Sequence, residues 1–402
     1  MDALRDDRSE LLLVLARGLH QAGLPTDTIE QTLRDVALTL GVILQVNVLP
    51  TSITLAVGAG FAQQLVIVRL EPGQLHLRKL ALLDGVLGTL RSGADPAAVL
   101  AEIAAVDTVE RPDPVPITIG AYAMLSCGTA LLLGGARNEV VVSTLGGIAI
   151  GAIAALAQRS RRVSRVYEIS AAFVATVIVA LWERFIGPIA LYVAIIAGVV
   201  QLLPGYSLTT ALSELANRNL VSGTSRLGGV LVTLLSLGCG FALGAGLTGN
   251  AIFNGPTVSP GHVTPLTTTA AAVLMALAIA MMLHARYRDL GWIVASCGAT
   301  IALARTLPLL GITQTAPFAT AFAIGLLATL AARYLRIPPP IVLVPSLLVL
   351  VPGSLSYESF LYVFQADATD ALSLAVRALL AAILIVAGFL TSQLLAPAER
   401  HA

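Results

Sequence analysis

Charge is what this sequence has least of. Only 12% of its 402 residues are Asp, Glu, Lys or Arg, against 56% hydrophobic, and a soluble chain carries roughly 25% charged residues, so a protein soluble throughout is excluded. The net charge of +1 gives no concentrated basic surface, which excludes nucleic acid as a partner. Cysteine is nearly missing: Cys127, Cys239 and Cys297 lie in apolar runs, with no second Cys or His at metal-ligand spacing, and read as small core residues. The five histidines are scattered. No cofactor or metal is expected. The longest apolar run near the N-terminus, Leu11–Ala16, follows Asp6, Asp7 and Glu10; it lacks the basic flank and length of a secretory signal, so the first domain is expected to stay in the cytoplasm.

The charges that are present are unevenly spread. Residues 1–114 hold 23 of the 47, and the remaining 288 residues hold 24. The first stretch therefore reads as a soluble domain and the rest as a membrane domain. Leu11, Leu12, Leu15 and Leu19 recur at helical spacing and stop near Gly23; Ile29, Leu33, Val36, Ala37 and Leu40 mark a second helix that stops at Gly41. Asp27 with Glu30 three residues on reads as a capping box. The β-branched runs Val42–Val48, Ser52–Val57 and Leu65–Leu70 predict a small sheet. Helices over Leu77–Arg91 and from Asp95 complete a small α+β domain. His20 and His76 sit alone among apolar neighbours and read as structural. No phosphate loop or nucleophile elbow occurs in this domain.

Arg111-Pro-Asp-Pro-Val-Pro116 is a stiff hinge. Beyond it, hydrophobic segments are drawn at 116–135, 139–157, 166–184, 188–205, 227–248, 266–285, 290–307, 316–335, 340–353 and 373–396, ten in all, each set against the ~20 residues a helix needs to cross the hydrocarbon core. The weakest are the third, between Glu168 and Glu183, and the seventh, between Asp289 and Arg305. Basic residues accumulate in cytoplasmic loops. With the first domain inside, Arg159, Arg161, Arg162, Arg165, Arg218, Arg226, Arg286, Arg288, Arg333, Arg336 and Arg400 fall inside, and Arg137, Arg184 and Arg305 outside. That imbalance supports ten helices with both termini cytoplasmic. Clustered glycines in the spans, namely Gly146, Gly147, Gly151, Gly228, Gly229, Gly238, Gly240, Gly244 and Gly246, are expected to serve close helix packing.

Span four ends in Gln201-Leu-Leu-Pro204-Gly205, and span nine in Val349-Leu-Val-Pro352-Gly353. Hydroxylated residues and a glutamate follow each: Tyr206, Ser207, Thr209, Thr210 and Glu214 in one case, Ser354, Ser356, Tyr357 and Glu358 in the other. Five spans separate the two breaks. The chain is thus expected to hold a 5+5 inverted repeat, residues 115–250 and 251–402, of the kind that supports alternating access. The simpler explanation, that Pro-Gly merely ends two helices, does not account for the recurring polar sequel.

Taken together, Leu202-Leu-Pro-Gly-Tyr-Ser-Leu-Thr-Thr-Ala-Leu-Ser-Glu-Leu215, Ser222-Gly-Thr-Ser-Arg-Leu227 and Val351-Pro-Gly-Ser-Leu-Ser-Tyr-Glu-Ser359 resemble the bacterial threonine/serine exporter family. Gly23 through Thr51 and Arg78-Lys79-Leu80 resemble its amino-terminal domain, so the likeness covers nearly the whole chain. The resemblance implies an exporter of small amino acids in a bacterial cytoplasmic membrane, driven by an ion gradient with protons the expected ion. Related two-chain systems are associated with succinate export, so a dicarboxylate stays open as the cargo.

A zwitterion in low dielectric needs both charges satisfied. A helix that restarts after Pro-Gly offers unpaired N–H groups and a partial positive charge to a carboxylate, so the expected substrate sites are Gly205–Ser207 and Gly353–Leu355. Ser207, Thr209 and Thr210 are candidates for a hydroxyl or ammonium group, and Gln201 for the same cavity. Glu214 and Glu358 are the candidates for proton coupling or ammonium recognition. Arg226 reads as an interfacial anchor. Ser126, Ser143, Thr144 and Thr176 are candidates to line the path. An intramembrane enzyme would need facing catalytic groups, and His262 and His284 show no partner constellation. A passive channel would show flux without saturation or coupling. A homo-oligomer is compatible with the sequence, which carries no signal for one state.

Overall fold

The computed structural model describes residues 7–60, 63–71, 73–107, 113–249, 261, 263–335, 337–351, 353–364 and 368–394. His262, Arg336, Pro352 and Arg400 lie outside the described residues. The chain divides into two compact units, the first comprising Met1–Arg111 with Thr210–Leu227 and Leu283–Arg286.

In the first unit, α1 (Asp7–Gln21) buries Leu11, Leu12, Leu15 and Leu19, and α2 (Thr26–Leu40) buries Ile29, Leu33, Val36 and Ala37. The 3.6-residue spacing thus supplies one apolar face to each helix. Gly41 ends α2 in the left-handed region, φ 66°, its N–H closing on the last carbonyls. Strands β1 (Leu44–Leu49), β2 (Ser52–Val57) and β3 (Gln64–Arg69) form an antiparallel sheet in that order. The cross-strand sets Val46–Leu55–Val66 and Val48–Ile53–Val68 share one face. Val48, Ile53 and Leu55 on it are buried. Helices α3 (Leu77–Arg91) and α4 (Pro96–Asp107) follow.

The expected capping box is corrected. Asp27 lies inside the first turn of α2 and bonds the Thr28 N–H, while Glu30 turns to the Val48 N–H and to Arg34. The N-cap is Pro25, which has no capping side chain, so the cap comes from elsewhere in the chain.

Both structural histidines are occupied in packing. His20 bonds the Pro50 carbonyl at 3.0 Å, and burial holds its pKa below the usual value despite that bond. His76 caps α3 by accepting the Lys79 N–H and stacks on His284 at 4.4 Å. Burial first, then the neighbouring His284, lowers its pKa to about 4. The folded state therefore stays neutral while the unfolded chain takes up a proton below about pH 6.5, so stability falls as pH drops from about 6.5 toward 4. Replacing His76 by Asn keeps a capping side chain and removes the titration. The slope of melting temperature against pH across that window is expected to flatten.

The second unit is helical: α5 (Val115–Leu132), α6 (Arg137–Ala157), one-turn α7 (Arg161–Ser164), α8 (Tyr167–Phe185) and α9 (Leu191–Val199), which continues into a 3-10 turn at Val200–Leu202. Then come α10 (Gly205–Ala216), α11 (Leu220–Leu247), α12 (Pro265–Met282), α13 (Leu290–Leu309), α14 (Ala316–Leu335), α15 (Pro339–Leu350), α16 (Gly353–Phe364) and α17 (Ala368–Leu394). Parts of α10 and α11 belong to the first unit. Among the described residues, eight helices are long and apolar enough to cross a membrane, or nine if the bent pair Leu191–Leu202 and Gly205–Ala216 makes one span. The expected third span forms a 19-residue helix, α8, but is not among them. Glu168, Glu183 and Arg184 sit near its ends.

Packing partners recur along this unit. α5 lies on α6 and α12 on α13; α6 also contacts α8 and α9, as α13 contacts α14 and α15. The leading helices α5 and α12 pack on each other. Glycine makes several of these approaches: a Cβ on Gly240 would fall 2.3 Å from the Ile169 carbonyl oxygen of α8. Gly147, Gly151 and Gly244 are similarly crowded, as the packing expectation required. Gly228, Gly229 and Gly246 have nothing within 4 Å, so packing within the chain does not explain them.

Candidate functional site

The first break is local chemistry. α9 and its 3-10 turn stop at Leu202, Leu203 is extended (φ −67°, ψ 122°), and Pro204 precedes the new helix at Gly205. A proline has no N–H to lose at a helix start and fixes φ where the helix needs it. The axis turns by 59° across the break. In the second half α15 stops at Leu350, Val351 is extended (φ −66°, ψ 138°), and α16 starts at Gly353.

Tertiary structure brings these two starts together. A Cβ on Gly205 would lie 2.4 Å from Val351 Cγ1 and 3.1 Å from both Cα and N of Gly353; one on Gly353 would lie 3.1 Å from Leu203 Cβ and 3.5 Å from Gly205 Cα. Two helix N-termini, each with first-turn N–H groups that the helix itself cannot pair, thus meet at one locus. The Gly353 N–H folds back on the Val351 carbonyl at 2.9 Å, so the amides facing a ligand on that side begin at Ser354.

Around this locus the polar side chains divide. Thr209 and Tyr357 stand four residues after Gly205 and Gly353, one turn into each helix; both are buried, and their hydroxyls have no hydrogen-bond partner among the described residues. Buried hydroxyls of that kind are uncommon and call for a ligand, a water or a change of state. Gln201 donates to the Gly198 carbonyl and accepts from the Ser126 hydroxyl at 3.4 Å. Tyr206 and Ser354 are half-buried and Ser207 is exposed. Thr210 is buried and belongs to the first unit. Ser143 bonds the Ala194 carbonyl, and Thr144 and Thr176 bond carbonyls within their own helices.

The two glutamates have different surroundings. Glu214, in the first unit, is fully buried: Arg226 Nε lies 3.0 and 2.9 Å from its two oxygens, and Oε1 accepts both the N–H and the hydroxyl of Thr26, at 3.1 and 2.9 Å. It is the missing cap of α2. Asn217 adds a 2.6 Å bond to Asp27. Arg226 is therefore an ion-pair partner, beyond the anchoring expected of it. Glu358, in the second unit, is half-buried and takes a hydrogen bond from the Tyr192 hydroxyl, and the Arg377 guanidinium acts on it electrostatically. Tyr192 and Thr26 escaped sequence reasoning because no local pattern links residues 166 or 188 positions apart. The signal available was weak: a tyrosine inside an apolar span and a hydroxyl just before a helix.

Two models of the threonine/serine exporter family match the chain, one over residues 10–248 and the other over 268–395. The chain belongs to the threonine/serine exporter family. Between them the two matches cover both Pro-Gly breaks, and membership makes this a multi-pass membrane protein of a transporter family. Two curated proteins, each called pheromone-regulated membrane protein 10, are similar to this exporter-family chain. The one from Zygosaccharomyces rouxii is 26% identical over 60% of the chain and 25% of its own length. The one from Kluyveromyces lactis is 24% identical over 88% and 38%. The chain thus spans less than two-fifths of these relatives. No solved structure matches it significantly.

Proposed function

We propose that this member of the family is a secondary active exporter of threonine and serine, coupled to protons, working by alternating access. The observation that carries the reading is the meeting of Gly205 and Gly353. Two helix starts at one point concentrate partial positive charge where a carboxylate can sit on backbone amides, with glycine allowing close approach. Thr209 and Tyr357, buried and without a hydrogen-bond partner among the described residues in register with the two breaks, are assigned to the cargo, with Gln201, Pro204, Tyr206, Ser207 and Ser354 completing the lining.

The membrane arrangement proposed is ten spans in a 5+5 inverted repeat, with α8 as the third span and both termini in the cytoplasm of a bacterium. The recurring helix partners and the α5–α12 contact support two like modules, and the arginine distribution supports the orientation. Opposed modules around one site are the arrangement that exchanges inward and outward access.

Glu358, five residues beyond Gly353, favours a cargo with an ammonium group over a dicarboxylate, because like charges repel at short range. Glu358 and Glu214 are the proposed coupling carboxylates.

Labelled threonine, serine and succinate in proteoliposomes under an imposed pH gradient test this. Saturable, gradient-dependent threonine and serine flux is expected. Succinate flux alone changes the cargo, and unsaturable flux indifferent to the gradient overturns the transport reading. Glu358→Gln is expected to lower gradient-driven flux at least about tenfold in a protein that elutes as a folded species.

A further inference from the structure

The first turn of α9 is held by two carboxylates, and only one of them belongs to the site above. Glu139, in the first turn of α6, is 4% exposed. Its Oε1 accepts the Ala190 N–H at 2.7 Å and so caps α9, whose own N-cap residue Ala190 offers no side-chain bond. Its Oε2 is buried and has no hydrogen-bond partner among the described residues. Two residues further along α9, the Tyr192 hydroxyl bonds Glu358 of α16. One helix start is therefore gripped from α6 and from α16.

The Glu139 surroundings are apolar. Ala130, Ala190 and Val193 form a buried cluster there, with Leu133 and Val140 packed on it. A Cβ on Gly135 would lie 3.0 Å from Glu139 Cβ and 3.1 Å from Val193 Cγ1, so the side chain is wedged between the α5–α6 turn and α9. The ionisable groups on the packed elements are Arg137 on its own helix, Tyr122 and Cys127 on α5, and Tyr192 on α9. Along α8 stand Tyr167 and Glu168 at its start and Glu183 and Arg184 at its end. Arg305 of α13 is occupied with the Leu132 carbonyl at the end of α5. None of these pairs with Oε2.

An acid in a helix first turn ordinarily offsets the helix dipole or caps an amide. That role needs one bonded oxygen and leaves the other to water. Here the second oxygen is shut away from water with no hydrogen-bond partner among the described residues, and a buried polar atom so placed calls for a ligand, a water or a proton. We propose that Glu139 is a proton-binding residue of the transport cycle, acting with Glu358 across the first turn of α9. The inference rests on the proton-coupled reading given above. A proton taken from bulk water forms an O–H bond at Oε2 and neutralises the carboxylate, while Oε1 keeps the Ala190 N–H. Its release restores the charge, and Oε2 then requires a donor or water, which means moving the start of α9. Because α9 runs through its 3-10 turn into Pro204-Gly205, that movement is carried to the cargo site.

Glu139→Gln retains an oxygen for the Ala190 N–H and cannot ionise. In proteoliposomes the ratio of pH-gradient-driven threonine accumulation to gradient-free threonine exchange is expected to fall about tenfold. Glu139→Asp is expected to preserve accumulation with a displaced pH profile. A Glu139→Gln protein with the wild-type ratio and pH profile overturns the inference, and equal loss of exchange and accumulation makes Glu139 a structural cap only, which also overturns it. If Glu139→Gln does not fold, an undisplaced Glu139→Asp profile overturns it instead. Wild-type protein without gradient-driven flux removes the coupled-transport reading itself, and this inference falls with it.

Discussion

Gly205→Ala is expected to abolish transport, by about 100-fold or more, since small misplacements of a binding geometry cost that much. The added methyl would sit 2.4 Å from Val351 Cγ1 and 3.1 Å from the Gly353 backbone. A side chain can yield, but backbone against backbone cannot, so the two helix starts must separate. Gly353→Ala should be milder, because its nearest contact is 3.1 Å and the Gly205 backbone is 3.5 Å away. Overpacking also costs stability, about 1–3 kcal/mol. Gly228→Ala and Gly246→Ala are the controls: open space surrounds them, and an alanine inside a helix is stabilising by roughly 0.5–1 kcal/mol relative to glycine. Uptake assays on the four variants, each checked for monodispersity, decide the matter. Wild-type transport by Gly205→Ala would remove the shared site.

Removing Arg226 should give the largest loss of stability. Glu214 is fully buried, and Arg226→Ala leaves its charge with only the two Thr26 donors. Breaking one side of a buried pair costs about 3–5 kcal/mol, and the lower end applies because Arg226 remains 24% exposed. Glu214→Gln keeps an acceptor for Thr26 and should cost less. Thr26→Val removes only the hydroxyl donor and should cost least, about 1 kcal/mol. Melting curves in detergent would rank the three. An Arg226→Ala melt equal to wild type would show the pair to be incidental.

The local features of this chain were legible without coordinates. The presence and order of α1, α2, α3 and the three strands follow from hydrophobic spacing and from Gly23, Gly41 and Pro50, with the ends of β1 and β3 one or two residues from those expected, because each such signal acts over a few residues. The sites of the two helix breaks follow from Pro204-Gly205 and Pro352-Gly353 for the same reason. Where reading by proximity failed, the partner was distant: Asp27 and Glu30 matched a capping box, yet the α2 cap is Glu214, 188 residues from Thr26. Glu139 opens the span drawn at 139–157, and only burial reveals an oxygen of it that has no hydrogen-bond partner among the described residues.

Composition, periodicity and the repeated Pro-Gly sequel by themselves determined a membrane chain with a small α+β domain and two broken helices, since apolar length and backbone chemistry are written residue by residue. Tertiary structure alone decided that the two breaks touch, that Glu214 is closed into an ion pair, and that Glu139 and Glu358 grip the start of α9. Such contacts depend on which apolar faces choose each other when the helices assemble, and a linear pattern carries no record of that choice.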